Sequence, residues 1–401
     1  MIVKVRKLRE ISIIILLLVI IIIIKQHLHL LLSQFESKSN LKTIGRMIYD
    51  AVVIGAGLSG IYALDQILTN KPNAKILVLE ATNQIGGRLR TIDGNDFGAT
   101  WCWPQNDEIV MKLIREFDIQ CTSPSATQIL VDPFQEEQVR LRGGTHQLVA
   151  NLANKWKNKF ELLLNHPVYR ISRIQNMENE IQSKSKDNIV TIYADEEKNQ
   201  QYLAKHVVIA IPPKICAKKI EFYPNLPNNV SQALNNTDTW MEKASKVFYE
   251  FSRPFWREYN ANFSMQLSGW FLFDASFDLD GRYILCAFNT GHGDSSTSEK
   301  VDLNKIFGPF VHKFLIKSSR HDWSKNKWVN ADYCPNNEVV TKSNMCRIGI
   351  HPILRNAVAS SIHFASTETE YENGHMEGAL RSGFRVANEI CKMLNCERKT
   401  N

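Results

Sequence analysis

The sequence predicts an α/β protein in which a domain built on a parallel sheet is joined by a second domain with a mixed sheet. The apolar, β-branched run from Asp50 to Ile54 leads through a glycine-rich turn into an amphipathic segment, Ile61 to Leu68. A second apolar run, Lys75 to Leu79, follows that segment. This order of strand, helix and strand is typical of a parallel sheet. Later strand-like runs, among them Gly269 to Phe273 and Tyr283 to Phe288, predict the second sheet.

The turn after the first run has the spacing G-x-G-x-x-G, formed by Gly55, Gly57 and Gly60. The first glycine makes the tight turn, the second lets the backbone approach a pyrophosphate, and the third lets the helix pack on the strand. The helix N-terminus offers unpaired N–H groups and partial positive charge to the same pyrophosphate. Glu80 follows Gly60 by 20 residues, the offset of an acid that binds a ribose hydroxyl. These features favour a Rossmann-like dinucleotide site over an ordinary strand–helix–strand unit with a glycine-rich turn.

Length and composition set the broad class. A chain of 401 residues is long enough for two interleaved domains. The net charge of +7 comes from 48 basic and 41 acidic residues, and this mild bias, with no polybasic run outside the N-terminus, does not indicate a nucleic-acid partner. The eight cysteines include no C-x-x-C pair, so no metal site is predicted. They are either buried thiols or partly paired, if the body faces an oxidising compartment.

The N-terminal residues 1–32 predict a membrane anchor or a signal segment. Four basic residues precede the apolar run Ile11 to Ile24, which as a helix would span about 21 Å and fall short of a bilayer core of roughly 30 Å. Extended to Leu32, the segment is long enough to span. A cleaved signal peptide and an uncleaved single-pass anchor with its basic end in the cytosol both remain open, and the lack of an A-x-A-like site favours the anchor. The body would then be luminal or extracellular, or secreted after cleavage, and residues 33–46 would be a linker.

The residues from Glu80 to Thr91 indicate which dinucleotide binds. They contain Gly86-Gly87-Arg88, two glycines that let the backbone lie against a diphosphate and an arginine that adds a fork of donors. This stretch resembles the second signature of the flavin-containing amine oxidases, the family of monoamine and polyamine oxidases. The resemblance implies FAD, because a nicotinamide dehydrogenase has no reason to carry this element. Other segments resemble further motifs of the family in the right order: Asp96–Trp101, Leu141–Leu148, His206–Pro213, Phe222–Pro227, Trp323–Tyr333 and Ser361–Thr369.

The resemblance implies a discontinuous FAD-binding domain of residues 47–100, 141–215 and 345–395, with a substrate domain of residues 101–140 and 216–344. The first substrate segment is shorter than the helical subdomain that relatives place there, so the departure concerns the substrate pocket and leaves the flavin site intact. The following residues match family positions that bind the cofactor: Gly55, Ala56, Gly57, Ser59, Gly60, Glu80, Ala81, Gly86, Gly87, Arg88, Gly98, Ala99, Thr100, Trp101, Val168, Glu368 and Met376.

Three residues match catalytic positions of the family. Lys246 precedes Phe255 by nine residues, as the family lysine does, and Lys243 is the fallback. In relatives this lysine holds a water on flavin N5, where a cation stabilises the negative charge that develops when reduced flavin meets oxygen. Tyr333 is expected to form one wall of an aromatic cage. His375 stands at the position of the second cage aromatic, where it either lines the site or marks a weakened cage.

Two residues depart from the family motifs. Asp332 stands where monoamine oxidases carry the cysteine that holds flavin as a thioether, which implies non-covalent FAD. Ser366 stands where a glycine is usual, and a serine is tolerated there only if the backbone is not left-handed.

The resemblance implies an FAD-dependent amine oxidase, which converts an amine to an imine or aldehyde and reduces O2 to H2O2. Its partners would be a small-molecule amine, O2 and, through the N-terminal segment, a membrane. One alternative is a membrane-tethered FAD-binding protein of the same family that lacks oxidase activity, which the shortened substrate segment, Ser366 and His375 favour. Another, supported only by the N-terminal segment, is an oxidase or desaturase of a membrane lipid.

Overall fold

The N-terminal segment lies outside the part of the chain that the structure describes. The computed structural model describes residues 47–121, 138–173, 189–258, 264–267, 269–277, 280–291, 301–333, 351–371 and 374–394. The predicted anchor or signal (1–32) and the linker (33–46) are not among them. Within these ranges, no helix combines the length and the apolar character needed to cross a membrane.

The described residues form strands and helices in the following order. The strands are β1 (Ile48–Ile54), β2 (Ile76–Leu79), β3 (Thr91–Ile92), β4 (Asn95–Asp96), β5 (Trp101–Cys102), β6 (Val139–Arg140), β7 (Glu161–Leu163), β8 (Val168–Ser172), β9 (Val190–Ala194), β10 (Gln200–Ile209), β11 (Glu221–Tyr223), β12 (Ser245–Phe251), β13 (Ser264–Leu267), β14 (Trp270–Asp274), β15 (Tyr283–Asn289), β16 (Leu315–Asp322) and β17 (Ile362–Phe364). The α-helices are α1 (Leu58–Asn70), α2 (Glu108–Glu116), α3 (His146–Lys155), α4 (Pro213–Lys219), α5 (Asn228–Asn236), α6 (Leu303–Phe307), α7 (Val311–Phe314) and α8 (Met376–Met393). Short 3₁₀ helices lie at Phe255–Glu258, Trp323–Lys325, Pro352–Arg355 and Thr367–Thr369.

The larger sheet has the strand order β11-β8-β9-β10-β1-β2-β7, with β17 also paired to β10. β1 runs parallel to β2 and β10, whereas β9 runs antiparallel to β8 and β10. Residues of β1 alternate between two cores: Ala51 and Val53 pack with α1 and α8, and Val52 and Ile54 pack with β8, β9 and α5. Because both faces of β1 are covered, its sequence is a continuous apolar run. The predicted Rossmann-like α/β domain is confirmed.

The smaller sheet has the order β13-β14-β15-β12-β16. Its strands pair antiparallel, whereas the sequence had indicated a mixed sheet for the second domain; the mixture of directions lies in the larger sheet. Neighbouring strands such as β14 and β15 follow each other along the chain without a crossover helix, and such connections produce antiparallel pairs. Lys246, on strand β12 of this sheet, lines the candidate site.

A buried pair of histidines joins β10 to β17. His363 Nδ1 lies 3.0 Å from the Glu389 carboxylate of α8, and its Nε2 lies 3.5 Å from Nδ1 of His206. Burial, followed by the neighbouring His363, lowers the pKa of His206 from 6.5 to about 4. The folded protein therefore keeps His206 neutral at pH values where the unfolded chain protonates it.

We expect this histidine to make stability depend on pH. Between pH 6.5 and about 4, the unfolded state binds one more proton at His206, so the free energy of unfolding falls as pH falls, by up to about 1.4 kcal/mol per pH unit. His206→Gln should flatten this dependence in denaturant titrations at several pH values. The same change at the exposed His312 is the control, and an equal slope in wild type and His206→Gln would contradict the assignment.

Candidate cofactor and active site

A cavity of about 580 Å³ opens where the N-terminus of α1, the turns after β2 and β4, and strand β12 meet. Most of the predicted cofactor and catalytic residues line it: Gly55, Gly57, Ser59, Glu80, Ala81, Gly86, Gly87, Arg88, Gly98, Ala99, Thr100, Trp101, Val168, Lys246, His375 and Met376. Four predicted residues are not among its lining residues: Ala56, Gly60, Tyr333 and Glu368. The chain thus brings motifs from distant positions to one cavity.

The glycines at the start of α1 leave its N-terminus open. Gly55 has φ +99°, a backbone conformation that glycine adopts readily. A Cβ on Gly60 would overlap the Gly55 carbonyl oxygen, whereas at Gly57 the nearest atom to an added Cβ would be the Gly86 carbonyl oxygen at 4.0 Å. Gly57 caps α1 without a side-chain hydrogen bond, so the first N–H groups of the helix remain available for an anionic group.

Glu80 is fixed at the end of β2 by main-chain donors. Its Oε2 accepts the backbone N–H of Ala56 at 2.8 Å, and its Oε1 accepts the backbone N–H of Thr82 at 2.9 Å. Oε1 also accepts the Thr82 hydroxyl at 2.8 Å, so the remaining acceptor capacity of Glu80 lies on Oε2. Its binding to a ribose hydroxyl stays a prediction.

Arg88 and Glu368, which are 280 residues apart in the sequence, form an ion pair beside the cavity. Arg88 Nη1 and Nη2 donate to the two oxygens of Glu368 at 2.6 and 3.1 Å, in the bidentate geometry that makes such pairs strong. Glu368 also accepts the backbone N–H of Trp240 at 3.0 Å. Glu368 therefore orients the Arg88 guanidinium group, which is predicted to bind a diphosphate. Arg88 lines the cavity, whereas Glu368 does not.

Lys246 lies at the floor of the cavity. Its Nζ donates to the Asp96 carbonyl at 3.1 Å, the Gly98 carbonyl at 2.6 Å and Thr100 Oγ1, so the turn after β4 surrounds the ammonium group. Only 3% of the residue is exposed. Burial is the main cause that lowers the pKa of Lys246 from 10.5 to about 8, and the group remains mostly charged at neutral pH.

Aromatic rings enclose this ammonium group. The Trp101 and Phe288 ring centroids lie 5.2 and 5.1 Å from Lys246 Nζ, within the range of cation–π contacts. Trp323 also lines the cavity and donates its Nε1–H to the Phe97 carbonyl at 2.9 Å. Among the described residues, the buried Nε1–H of Trp101 has no hydrogen-bond partner. The ammonium group is thus buried among three oxygen acceptors and two aromatic rings.

The structure separates the two predicted cage residues. His375 caps α8 and stacks on Trp103, with ring centroids 4.7 Å apart and planes inclined by 10°. Tyr333 is 36% exposed and lines a surface depression beside the cavity instead of the cavity itself. Its neighbour Asp332 lies 2.6 Å from Lys218 in an ion pair, and it does not line the cavity either.

The backbone at Ser366 and three further cavity residues remain to be described. Ser366 has φ −130°, so its backbone is extended and the condition for a serine at this position is met. Sequence reasoning missed Trp240, Phe288 and Arg90, which line the cavity. Phe288 lies on an apolar strand and resembles any core residue, and Trp240 belongs to no recognised motif, so neither offered a signal. Arg90 follows the Gly-Gly-Arg motif by two residues, and the sequence alone gives it no role.

These residues fit a dinucleotide that carries a flat ring system. The open N-terminus of α1 and the unobstructed backbone at Gly57 suit a diphosphate, and the aromatic pocket around Lys246 suits a ring. The fold and the cavity together define an α/β dinucleotide-binding protein.

Comparison with known families specifies the class further. The model described as a flavin-containing amine oxidoreductase matches residues 118–391, and that of an NAD(P)-binding Rossmann-like domain matches residues 53–117. The chain belongs to the flavin-containing amine oxidoreductase family, and its cofactor is FAD.

Individual relatives are distant and only partly covered. The putative flavin-containing monoamine oxidase AofH of Mycobacterium tuberculosis is 29% identical over 266 residues, which are 64% of this chain and 53% of that protein. The probable flavin-containing monoamine oxidase A of Dictyostelium discoideum is 29% identical over 279 residues, 65% of this chain and 55% of that protein. The chain therefore matches about half the length of these relatives.

Solved structures share the fold. Cyclohexylamine oxidase from Brevibacterium oxydans IH-35A superposes with a TM-score of 0.67 at 19% identity, covering 87% of this chain and all of that one (100%). A putrescine oxidase bound to putrescine gives a TM-score of 0.63 at 18% identity, covering 86% of this chain and 100% of that one.

Proposed function

We propose that this protein is an FAD-dependent oxidase that converts an amine to an imine while O2 is reduced to H2O2. Water then hydrolyses the imine to an aldehyde or ketone and releases the nitrogen as ammonia or an amine. The observation that carries the proposal is the buried Lys246 ammonium group, which shares one cavity with the dinucleotide-binding elements. FAD, when bound, would take two electrons from the carbon beside the amine nitrogen and pass them to O2.

Different residues of the cavity would bind different parts of FAD. Glu80 and Val168 would contact the adenosine part, and Gly57 with the N-terminus of α1 would take the diphosphate. Arg88, oriented by Glu368, would add its remaining N–H donors. These assignments follow from the family motifs and from the positions of the residues along the cavity.

The turn of residues 98–101 and Lys246 would hold the ring system. The N-terminus of α8 begins at Met376, which also lines the cavity, and its partial positive charge would favour negative charge on the ring. Lys246 would favour electron transfer to O2 in the same way, because a buried cation stabilises the developing anion more strongly than one in water. The lysine acts without itself forming or breaking a covalent bond.

The aromatic walls would receive the amine. Trp101, Trp103, Trp240, Phe288 and Trp328 line the cavity, and such surfaces exclude water from the reacting carbon and its nitrogen. His375, stacked on Trp103, would extend this wall. A neutral amine is needed for oxidation, and an apolar pocket disfavours its protonated form.

We also propose that FAD is bound without a covalent link. Asp332 has no thiol, and its carboxylate is paired with Lys214 and Lys218. It therefore offers neither the chemistry nor the placement for a thioether.

A visible spectrum and a peroxide assay test these proposals together. Purified protein should show a flavin spectrum, and after acid precipitation the yellow colour should stay in the supernatant. Amine-dependent release of H2O2 across primary amines, polyamines and amino acids should identify at least one substrate. Protein that binds FAD but releases no peroxide with any of them would support a flavoprotein without oxidase activity, and colour in the pellet would contradict non-covalent binding.

A further inference from the structure

One cation in the cavity, Arg90, has no ion-pair partner in the part of the chain that the structure describes. Arg90 lines the cavity, and its Nε is buried without a hydrogen-bond partner among the residues that the structure describes. Arg88, two residues earlier, contrasts with it, because both of its terminal nitrogens donate to Glu368. A buried guanidinium nitrogen without an acceptor is costly. A ligand group with acceptor oxygens would remove that cost.

A second nitrogen without a described partner belongs to His321, which lines the surface depression beside the cavity and not the cavity itself. His321 lies on β16, directly opposite Lys246 of β12, and its ring packs against Trp323 with centroids 4.4 Å apart. Its Nε2 is buried and, within the described ranges, accepts or donates no hydrogen bond. Phe97 lies between the two residues, because its N–H donates to the Arg90 carbonyl at 2.9 Å and its ring centroid lies 6.3 Å from that of His321. Burial, followed by the charge of Arg90, lowers the pKa of His321 to about 4. The neutral ring can donate from Nε2 in one of its two tautomers.

The surroundings favour an anion over a second cation. Of the described residues that line the cavity, Glu80 is the sole acid, and both of its oxygens already accept main-chain N–H groups. A surface depression adjoins the cavity, with Asn326 and Trp328 lining both.

That depression is basic. Arg320, Lys325 and Lys327 line it together with His321. Its one described acid, Asp322, accepts the backbone N–H of Ser324 and is paired with Arg320. Like charges in a cleft attract an oppositely charged substrate and repel one of the same sign. A substrate that carries a second ammonium group would meet no described free carboxylate here.

We propose that Arg90 and His321 form a subsite for a carboxylate, so that the substrate is an amine that also carries a carboxylate group. The inference rests on the proposed oxidase function and names the substrate class of the same site. Directly opposite residues of an antiparallel pair have Cβ atoms about 5 Å apart, so His321 places the carboxylate near Lys246. The amine-bearing carbon would then lie a short distance from the carboxylate, with an apolar side chain against the aromatic wall.

Matched substrates test the proposal. L-Phenylalanine and phenethylamine differ by one carboxylate, and 1,4-diaminobutane adds a second amine in its place. We expect a kcat/KM for phenylalanine roughly 10- to 100-fold above that for phenethylamine, and the least turnover with the diamine. A preference for phenethylamine or for the diamine would overturn the proposal.

Variants locate the subsite. Arg90→Met should raise the KM for phenylalanine roughly 10- to 100-fold with little effect on phenethylamine, and Arg90→Lys should restore part of the loss. His321→Phe should raise the same KM roughly threefold to tenfold. Arg115→Met, at an exposed position on α2, is the control and should change neither substrate. Equal effects of Arg90→Met on both substrates would point to a structural role for Arg90 and overturn the assignment.

A binding measurement separates this inference from the proposed reaction. Phenylacetate carries the carboxylate and ring but no amine, so its binding, followed by thermal shift or by the flavin spectrum, needs no turnover. Wild type should bind phenylacetate, and Arg90→Met should bind it at least roughly tenfold more weakly. If no amine is oxidised, the oxidase function fails while this comparison still decides the subsite. Absent binding, or equal binding by both proteins, would overturn the subsite.

Discussion

Lys246→Met is expected to slow the oxidative half-reaction, in which O2 is consumed, by about 10²- to 10³-fold. The reductive half-reaction, in which the amine is oxidised, should change far less. The reason is the position of the charge: the ammonium group is buried and is held by the Asp96 and Gly98 carbonyls and Thr100 Oγ1. Methionine preserves the apolar stem and removes the cation. Stopped-flow absorbance of the two half-reactions measures each rate separately.

The pH dependence of the wild-type protein gives a further check on Lys246. Burial lowers its pKa to about 8, so the active cationic form is present below this pH and is lost above it. The oxidative rate constant should therefore fall as pH rises through about 8, and Lys246→Met should lack this step. Lys243→Met is the matched control, because Lys243 is the alternative lysine of the sequence motif and does not line the cavity. Equal slowing of both half-reactions in Lys246→Met, or a larger effect of Lys243→Met, would contradict the role of Lys246.

Gly98→Ala should weaken FAD binding. A Cβ at Gly98 would overlap the Arg88 carbonyl oxygen, which is backbone and cannot move aside as a flexible side chain can. Relieving the overlap must displace either the Gly-Gly-Arg turn or the 96–100 turn that holds Lys246. Overpacking of this kind costs roughly 1–3 kcal/mol, which corresponds to an affinity for FAD about 5- to 150-fold weaker. Fluorescence titration of protein freed of flavin measures the affinity.

Gly281→Ala is the control for this change. No atom of a described residue lies within 4 Å of a Cβ added there, although its φ of +62° carries some backbone strain. We expect the control to bind FAD as wild type does, with at most a small loss of thermal stability. Wild-type affinity in Gly98→Ala would show that the turn adapts and that Gly98 is not required for the cofactor site.

Local patterns predicted the elements that hold the dinucleotide. The run from Asp50 to Ile54 forms β1, and the glycine spacing forms the open start of α1. Both signals are contained within about a dozen residues, where glycine conformations and hydrophobic periodicity constrain the backbone directly. Lys246, which the resemblance to the family motif indicated, lies in the cavity.

Long-range partners could not be predicted in the same way. Arg88 and Glu368 are 280 residues apart, and both were expected to contact the cofactor; their direct pairing depends on how β17 and α8 return to the first domain. Tyr333 matched a family position by its spacing, yet the loop that carries it leaves the ring at a surface depression. Side-chain placement on such loops depends on neighbours such as Lys218, which no local pattern specifies.

The return of β17 and α8 to the first domain has a consequence for biosynthesis. β17 pairs with β10, Ser59 of α1 donates to the Ala365 carbonyl at 2.6 Å, and a Cβ at Gly383 of α8 would meet the Ser59 carbonyl at 2.5 Å. The N-terminal half of the chain is synthesised first. Residues 47–100 therefore cannot complete their core packing until residues 362–393 have been synthesised. Nascent chains halted before β17 should therefore remain sensitive to protease and should fail to retain flavin, and chaperone occupancy should persist until the last helix has emerged.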